Sequence, residues 1–145
     1  MGKYRFTPEG TGDQNQQKNT YDIHVLFVDT NQDLLAMFAR CFLNDFLVTT
    51  TNDLSTALKA VELADIDVVV TELGTVDIHY RSDDSFLPLI SYLQKEKPDI
   101  PVILHSILTS DSVSNQGLYH HAYLEKGTVA VSSIKEKILE LLHIT

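Results

Sequence analysis

The stretch Ala64-Asp65-Ile66-Asp67-Val68-Val69-Val70-Thr71-Glu72-Leu73 constrains the fold more than any other part of the chain. Its valine run is β-branched throughout and follows a helical stretch. That combination suits a strand covered on both faces, the position strands occupy in a parallel sheet. In such sheets function collects at the carboxyl ends of the strands, and here that end carries the carboxylate of Glu72.

Three more apolar runs end in chemistry. His24-Val25-Leu26-Phe27-Val28-Asp29 ends in a second acid, Pro101-Val102-Ile103-Leu104-His105-Ser106 in a hydroxyl, and Ala122-Tyr123-Leu124-Glu125-Lys126-Gly127 leads to a lysine. Phe46 to Thr50 supplies a further strand. Helical patterns lie between them. Leu34, Leu35, Phe38, Cys41 and Phe42 recur at three- and four-residue spacing, so a helix follows Asp29 with Asn31 or Asp33 near its start. Asp53 caps a helix in which Leu54, Ala57, Leu58 and Val61 share a face. Phe86 to Lys95 forms the next, with Pro88 tolerated in its first turn and Pro98 ending it. A fourth helix is expected between Thr109 and His121, where polar residues and Gly117 interrupt the apolar stripe. The last helix presents Ile134, Ile138, Leu141 and Leu142 on one side and Lys135, Glu136, Lys137 and Glu140 on the other, with Ser133 and Glu136 spaced as a capping box. The alternating order predicts an α/β fold: a doubly wound, five-stranded parallel sheet of flavodoxin-like type.

At 145 residues and 43% hydrophobic, the chain can bury one core and has no room for a second domain of usual size. Residues 1–20 differ from the rest, since Gly10, Gly12, Gln14, Asn15, Gln16 and Gln17 crowd together without apolar periodicity; they are expected to form a flexible tail before a domain spanning 21–145. Lys3, Arg5 and Lys18 against Glu9 and Asp13 give the tail +1, so the −9 of the whole chain leaves −10 on the domain. A surface that acidic repels phosphate backbones and argues against nucleic-acid binding. No run approaches the ~20 apolar residues needed to cross a bilayer, and no signal-peptide core is present. Cys41 is the single cysteine, which excludes an internal disulfide and fits a reducing compartment, so a cytoplasmic location is expected.

The order acid, acid, hydroxyl, lysine at successive strand ends resembles the receiver domain of two-component response regulators, from roughly Tyr21 to the C-terminus. The resemblance implies the receiver version of the fold and a role for each residue. Asp29 falls on the first of two acids that hold magnesium, with Thr30 replacing the second; Glu72 falls on the phosphoacceptor position, where the family has aspartate. Ser106 falls on the Ser/Thr position that follows the phosphoryl oxygens, Lys126 on the family's lysine, and Tyr123 on the switch aromatic. Two departures concern backbone shape. Leu73-Gly74-Thr75-Val76-Asp77-Ile78-His79 replaces the usual Pro-containing turn and Asp-Gly pair, and Gly127 stands where a proline usually follows the lysine.

Glutamate reaches about one C–C bond further than aspartate, roughly 1.5 Å, and so intrudes on the space a phosphoryl group needs; misplacement on that scale costs ~100-fold in rate. The expectation is a pseudo-receiver, a signalling module acting through protein contacts and not an enzyme, in which Glu72 pairs with Lys126 and accepts a hydrogen bond from Ser106. One alternative is a working magnesium-dependent phosphoacceptor, with Asp29 and Glu72 as the metal-holding carboxylates and no other cofactor. A second is a flavodoxin-like ligand-binding module, against which Asp29-Thr30-Asn31-Gln32 offers no glycine-rich phosphate loop. Each residue also has a plain structural reading. Asp29 and Glu72 serve as polar strand ends, Ser106 as a helix cap, Lys126 as a solvated lysine, Tyr123 as core and His105 as a satisfied core histidine. Adjacent His120 and His121 diverge by roughly 100° on a helix, a poor arrangement for shared metal binding. In the family, the face made by the fourth helix, fifth strand and fifth helix makes dimer or target contacts; here it covers approximately Thr109 to Leu142, for a homodimer or an unidentified protein partner.

Overall fold

The computed structural model describes residues 22–73, 85–107, 117–127 and 129–143. Five strands, β1 (His24–Val28), β2 (Leu47–Thr51), β3 (Val68–Thr71), β4 (Val102–Ser106) and β5 (Ala122–Glu125), form one sheet in the order β2-β1-β3-β4-β5. Every neighbouring pair is parallel. Four helices occur among the described residues: α1 (Gln32–Cys41), α2 (Leu54–Leu63), α3 (Leu87–Glu96) and α4 (Val131–Leu141). This is the doubly wound flavodoxin-like sheet that the alternating pattern predicts.

Strand alternation divides the interior into two cores. Leu26 and Val28 of β1 and Val69 of β3 face Ala57 and Val61 of α2 and Leu89, Ile90 and Leu93 of α3. Val25 and Phe27 of β1, with Val68 and Val70 of β3, face Leu35 and Phe38 of α1 and Ile134 and Ile138 of α4. Because side chains alternate along a strand, the unbroken valine run is what allows β3 to serve both layers at once. Phe27 and Phe38 stack with ring centroids 4.6 Å apart, which fixes α1 against β1.

Chain polarity and strand order then determine where polar groups can gather. The order reverses at β1, which lies between β2 and β3, and a crevice opens at the carboxyl ends of the strands at such a reversal. Asp29 leaves β1 and Glu72 leaves β3 at that point.

Several details differ from the sequence expectation. β2 begins at Leu47 and ends at Thr51, one residue later than expected, because the register pairs Leu47 with His24 and Thr51 with Val28. α4 begins at Val131 with Ala130 as its N-cap and no side-chain cap, so Ser133 and Glu136 sit inside the helix and form no capping box at its start. Val131 packs on the same core as Ile134 and Ile138, and that contact draws the first turn back toward it. Of the helix expected between Thr109 and His121, residues 109–116 lie outside the described residues. Residues 117–121 are not helical; Gly117 has φ +63° and His121 already bonds to β4. The proposed tail also lies outside the described residues. Among those described, no helix is long and apolar enough to cross a membrane.

Candidate functional site

The sheet delivers both carboxylates with little freedom. The Asp29 N–H donates to Thr51 O at 3.2 Å and the Glu72 N–H to Val28 O at 3.0 Å, extending strand pairing to the acids themselves. From the far edge, the Lys126 N–H donates to Ser106 O at 2.7 Å and brings its side chain back over β4 and β3. Lys126 Nζ lies 2.8 Å from Glu72 Oε1 and 2.8 Å from Asp29 Oδ2, bridging the two acids. The remaining oxygens are engaged as well. Glu72 Oε2 accepts from the Thr30 N–H at 2.9 Å and from the Thr30 hydroxyl at 2.6 Å, and Asp29 Oδ1 accepts from the Asn31 N–H at 2.9 Å. All four carboxylate oxygens therefore receive a donor from the chain.

Burial makes these contacts count. The side chains of Asp29, Glu72 and Lys126 are 3%, 12% and 19% exposed, so water screens them far less than it screens surface pairs. Burial pushes the Asp29 carboxyl above its ordinary range, and the Glu72 charge adds to this against the bonds from Lys126 and Asn31. At Glu72 burial acts in the same direction, but the bonds from Lys126 and Thr30 outweigh it and hold the carboxyl below its ordinary range. Lys126 is driven the opposite way, with burial lowering its pKa and the two carboxylates raising it to a net increase.

Ser106 and Tyr123 flank this network. The buried Ser106 presents its backbone oxygen to the Lys126 N–H and to the Tyr123 hydroxyl, the latter at 3.1 Å. The half-buried Tyr123 ring packs on the core shared with α2 and α3, turned toward β4. The hydrogen bond expected from Ser106 to Glu72 is replaced. Among the described residues the partners of Glu72 are Thr30 and Lys126, because its longer side chain carries the carboxylate across to the β1 end. Gly127 follows Lys126 at φ +88°, a backbone conformation proline cannot adopt.

The histidines are placed by the same topology. His105 is not the satisfied core residue expected: it is 7% exposed, its Nδ1 has no hydrogen-bond partner, and its ring lies 5.8 Å from that of Phe38. Burial, with the Lys126 charge, lowers its pKa to about 4. His121 Nδ1 accepts from the Val102 N–H at 3.0 Å, and His120 Nδ1 lies 2.7 Å from Leu118 O, so each ring is engaged with backbone. Cys41 is exposed and is the last residue of α1.

The pair of hydrogen bonds from Thr30 to Glu72 and the bond from the Asn31 N–H to Asp29 carry no signal in the local sequence. In the sequence Thr30 reads only as the replacement of a metal-ligand acid, and its partner lies 42 residues away. The magnesium ion that the receiver resemblance implies does not fit these donors. Magnesium demands near-octahedral oxygen ligands at close to fixed distance, whereas here an ammonium group stands between the two carboxylates, 2.8 Å from an oxygen of each, where a bridging cation would sit. Among the described residues no group of three or more His, Cys, Asp or Glu side chains could hold a metal ion.

No protein-family model matches the sequence, and no curated protein matches it. Solved structures do match. A Francisella response regulator receiver domain superposes with a TM-score of 0.69 at 19% identity, covering 84% of this chain and 98% of its own. A response regulator receiver protein from Sinorhizobium medicae superposes with a TM-score of 0.69 at 20% identity, covering 83% of this chain and 94% of its own. The response regulator protein TrrA from Thermotoga maritima, solved in complex with Mg(2+)-BeF, gives 0.66 at 20% identity over 83% of this chain and 99% of its own. Together with the strand order, these likenesses show that the chain has the fold of response regulator receiver domains.

Proposed function

We propose that this chain is a receiver-like signalling module of two-component type that works through protein contacts without a phosphorylation cycle. The observation that carries this reading is the engagement of Glu72 by Lys126 and Thr30 at the strand end where the receiver resemblance puts the acceptor. A carboxylate with one charge and two oxygens, against up to two charges and three oxygens for a phosphoryl group, imitates the phosphorylated state in part. In this reading it holds Lys126, and through the loop after β5 it favours the Tyr123 position bonded to Ser106 O. The receiver-like roles of Glu72, Ser106, Tyr123 and Lys126 are part of the proposal, as is the absence of catalysis. The partner is a protein that reads β5 and α4, a second copy of the chain included. The acidic charge argues against nucleic acid, and the single cysteine fits the cytoplasm.

The test is incubation with magnesium and acetyl phosphate, read by intact mass, alongside amide NMR with magnesium and beryllofluoride. Unchanged mass and an unchanged spectrum are expected. A phosphoryl adduct, or shifts clustered at Asp29, Glu72, Ser106 and Lys126, would overturn the reading in favour of a working phosphoacceptor.

A further inference from the structure

The site is closed by its own cation. We infer that Lys126 acts as a built-in counter-cation which, with Glu72 held in place by Thr30, excludes divalent metal from the strand-end site. This deepens the function proposed above and rests on it, since it identifies how the site stays in one state without metal.

Two carboxylates at the ends of adjacent strands, each largely removed from water, repel one another unless a cation or a proton intervenes. Lys126 Nζ fills that role at 2.8 Å from an oxygen of each. Its position is not a chance of a flexible surface chain, because the Lys126 backbone is tied to β4 at Ser106 O and only 19% of the side chain is exposed. Thr30 is the positioning residue. Its N–H and hydroxyl both donate to Glu72 Oε2, which leaves Oε1 turned to Lys126. For a divalent ion to bridge the two carboxylates, it must expel a charged ammonium that lies 2.8 Å from Glu72 Oε1 and from Asp29 Oδ2. Removing Lys126 leaves a carboxylate pair without its counter-charge, which is the simplest divalent-cation site a protein can offer.

The experiment is a titration with Mn2+, read as paramagnetic broadening of the amide signals around Asp29 and Glu72, in the wild type and in Lys126→Met. Wild-type signals at the site are expected to broaden no more than those elsewhere on the surface. In Lys126→Met the site is expected to bind Mn2+ at least ~100-fold more tightly, on the scale of removing one close charge from a partly buried pair. Lys126→Gln is one bond shorter but keeps a hydrogen-bonding head while removing the charge, and serves where the methionine variant fails to fold; it is expected to gain affinity as well. Thr30→Val retains the ammonium and is expected to gain much less. Site-localised binding in the wild type as tight as in Lys126→Met, no gain in either lysine variant, or an equal gain in Thr30→Val would each overturn the inference. Failure of this idea differs from failure of the proposed function: Mn2+ binding by the wild type without phosphoryl transfer sinks the built-in cation alone, whereas a phosphoryl adduct sinks both.

Discussion

His105 occupies a position in β4 where the neighbouring strand residues Ile103 and Leu104 are aliphatic, and its ring meets Phe38 in place of a polar partner. A buried unsatisfied nitrogen costs about 1–3 kcal/mol, and the same burial keeps the ring neutral. Its pKa of about 4 in the fold lies below the ordinary 6.5. The unfolded chain therefore binds the extra proton first as pH falls, and stability is lost between pH 6.5 and about 4, with no further loss below that. At just over 1.3 kcal/mol per unit, the full effect is roughly 3 kcal/mol. His105→Leu is expected to be at least as stable as the wild type near neutral pH and to lose this part of the acid sensitivity. Urea midpoints at about pH 7.5 and about pH 5 check this, and equal pH slopes in the two proteins would contradict it. Residue-scale legibility was uneven. Asp29, Glu72, Ser106 and Lys126 could be picked out because a strand end is visible as the end of an apolar run. The donors to Glu72 could not, because a hydrogen bond between residues 30 and 72 depends on which strands are neighbours and how far a glutamate reaches across the gap.

Helix starts show how local signals behave when packing agrees with them and when it does not. Asn31 caps α1 by accepting from the Leu34 N–H at 3.1 Å, and Asp53 caps α2 by accepting from the Thr56 N–H at 2.8 Å, both as the residue types suggest. At α4 the polar candidates Ser133 and Glu136 lost to the packing of Val131, which leaves Ala130 in an extended N-cap conformation without a side-chain acceptor. Two expected outcomes follow from that contrast. Asn31→Ala removes the cap while sparing the backbone N–H that serves Asp29, and should cost about 1 kcal/mol. Ala130→Ser places an acceptor on backbone already in cap geometry and should gain up to about 1 kcal/mol. Denaturant midpoints of the two variants decide the matter, and a destabilised Ala130→Ser would show that the start of α4 is not limited by its cap.

Across the whole molecule, one sheet separates two cores, and the central strands contribute alternate side chains to each. Ile90 lies in the core under α2 and α3, and Ile138 in the core under α1 and α4. Ile90→Val and Ile138→Val should each cost about 1 kcal/mol, since each removes one buried methylene. The double variant should lose the sum within ~0.5 kcal/mol, because the two positions share no contacts. It should also unfold in a single transition, because β1, β3 and β4 belong to both layers. Two separate transitions in calorimetry would mean that the layers fold independently. The sequence by itself determined the alternation of strands and helices, the parallel character of the sheet and which side chains stand at strand ends, because periodicity, β-branched runs and end residues are properties of short stretches of chain. Only the tertiary structure decided that β1 sits between β2 and β3, that Lys126 returns from the edge strand to lie between Asp29 and Glu72, and that Thr30 supplies two donors to a carboxylate on another strand. These are contacts between segments far apart in the chain, and they arise when two apolar layers close over the sheet and force its polar strand ends into one small, poorly hydrated space.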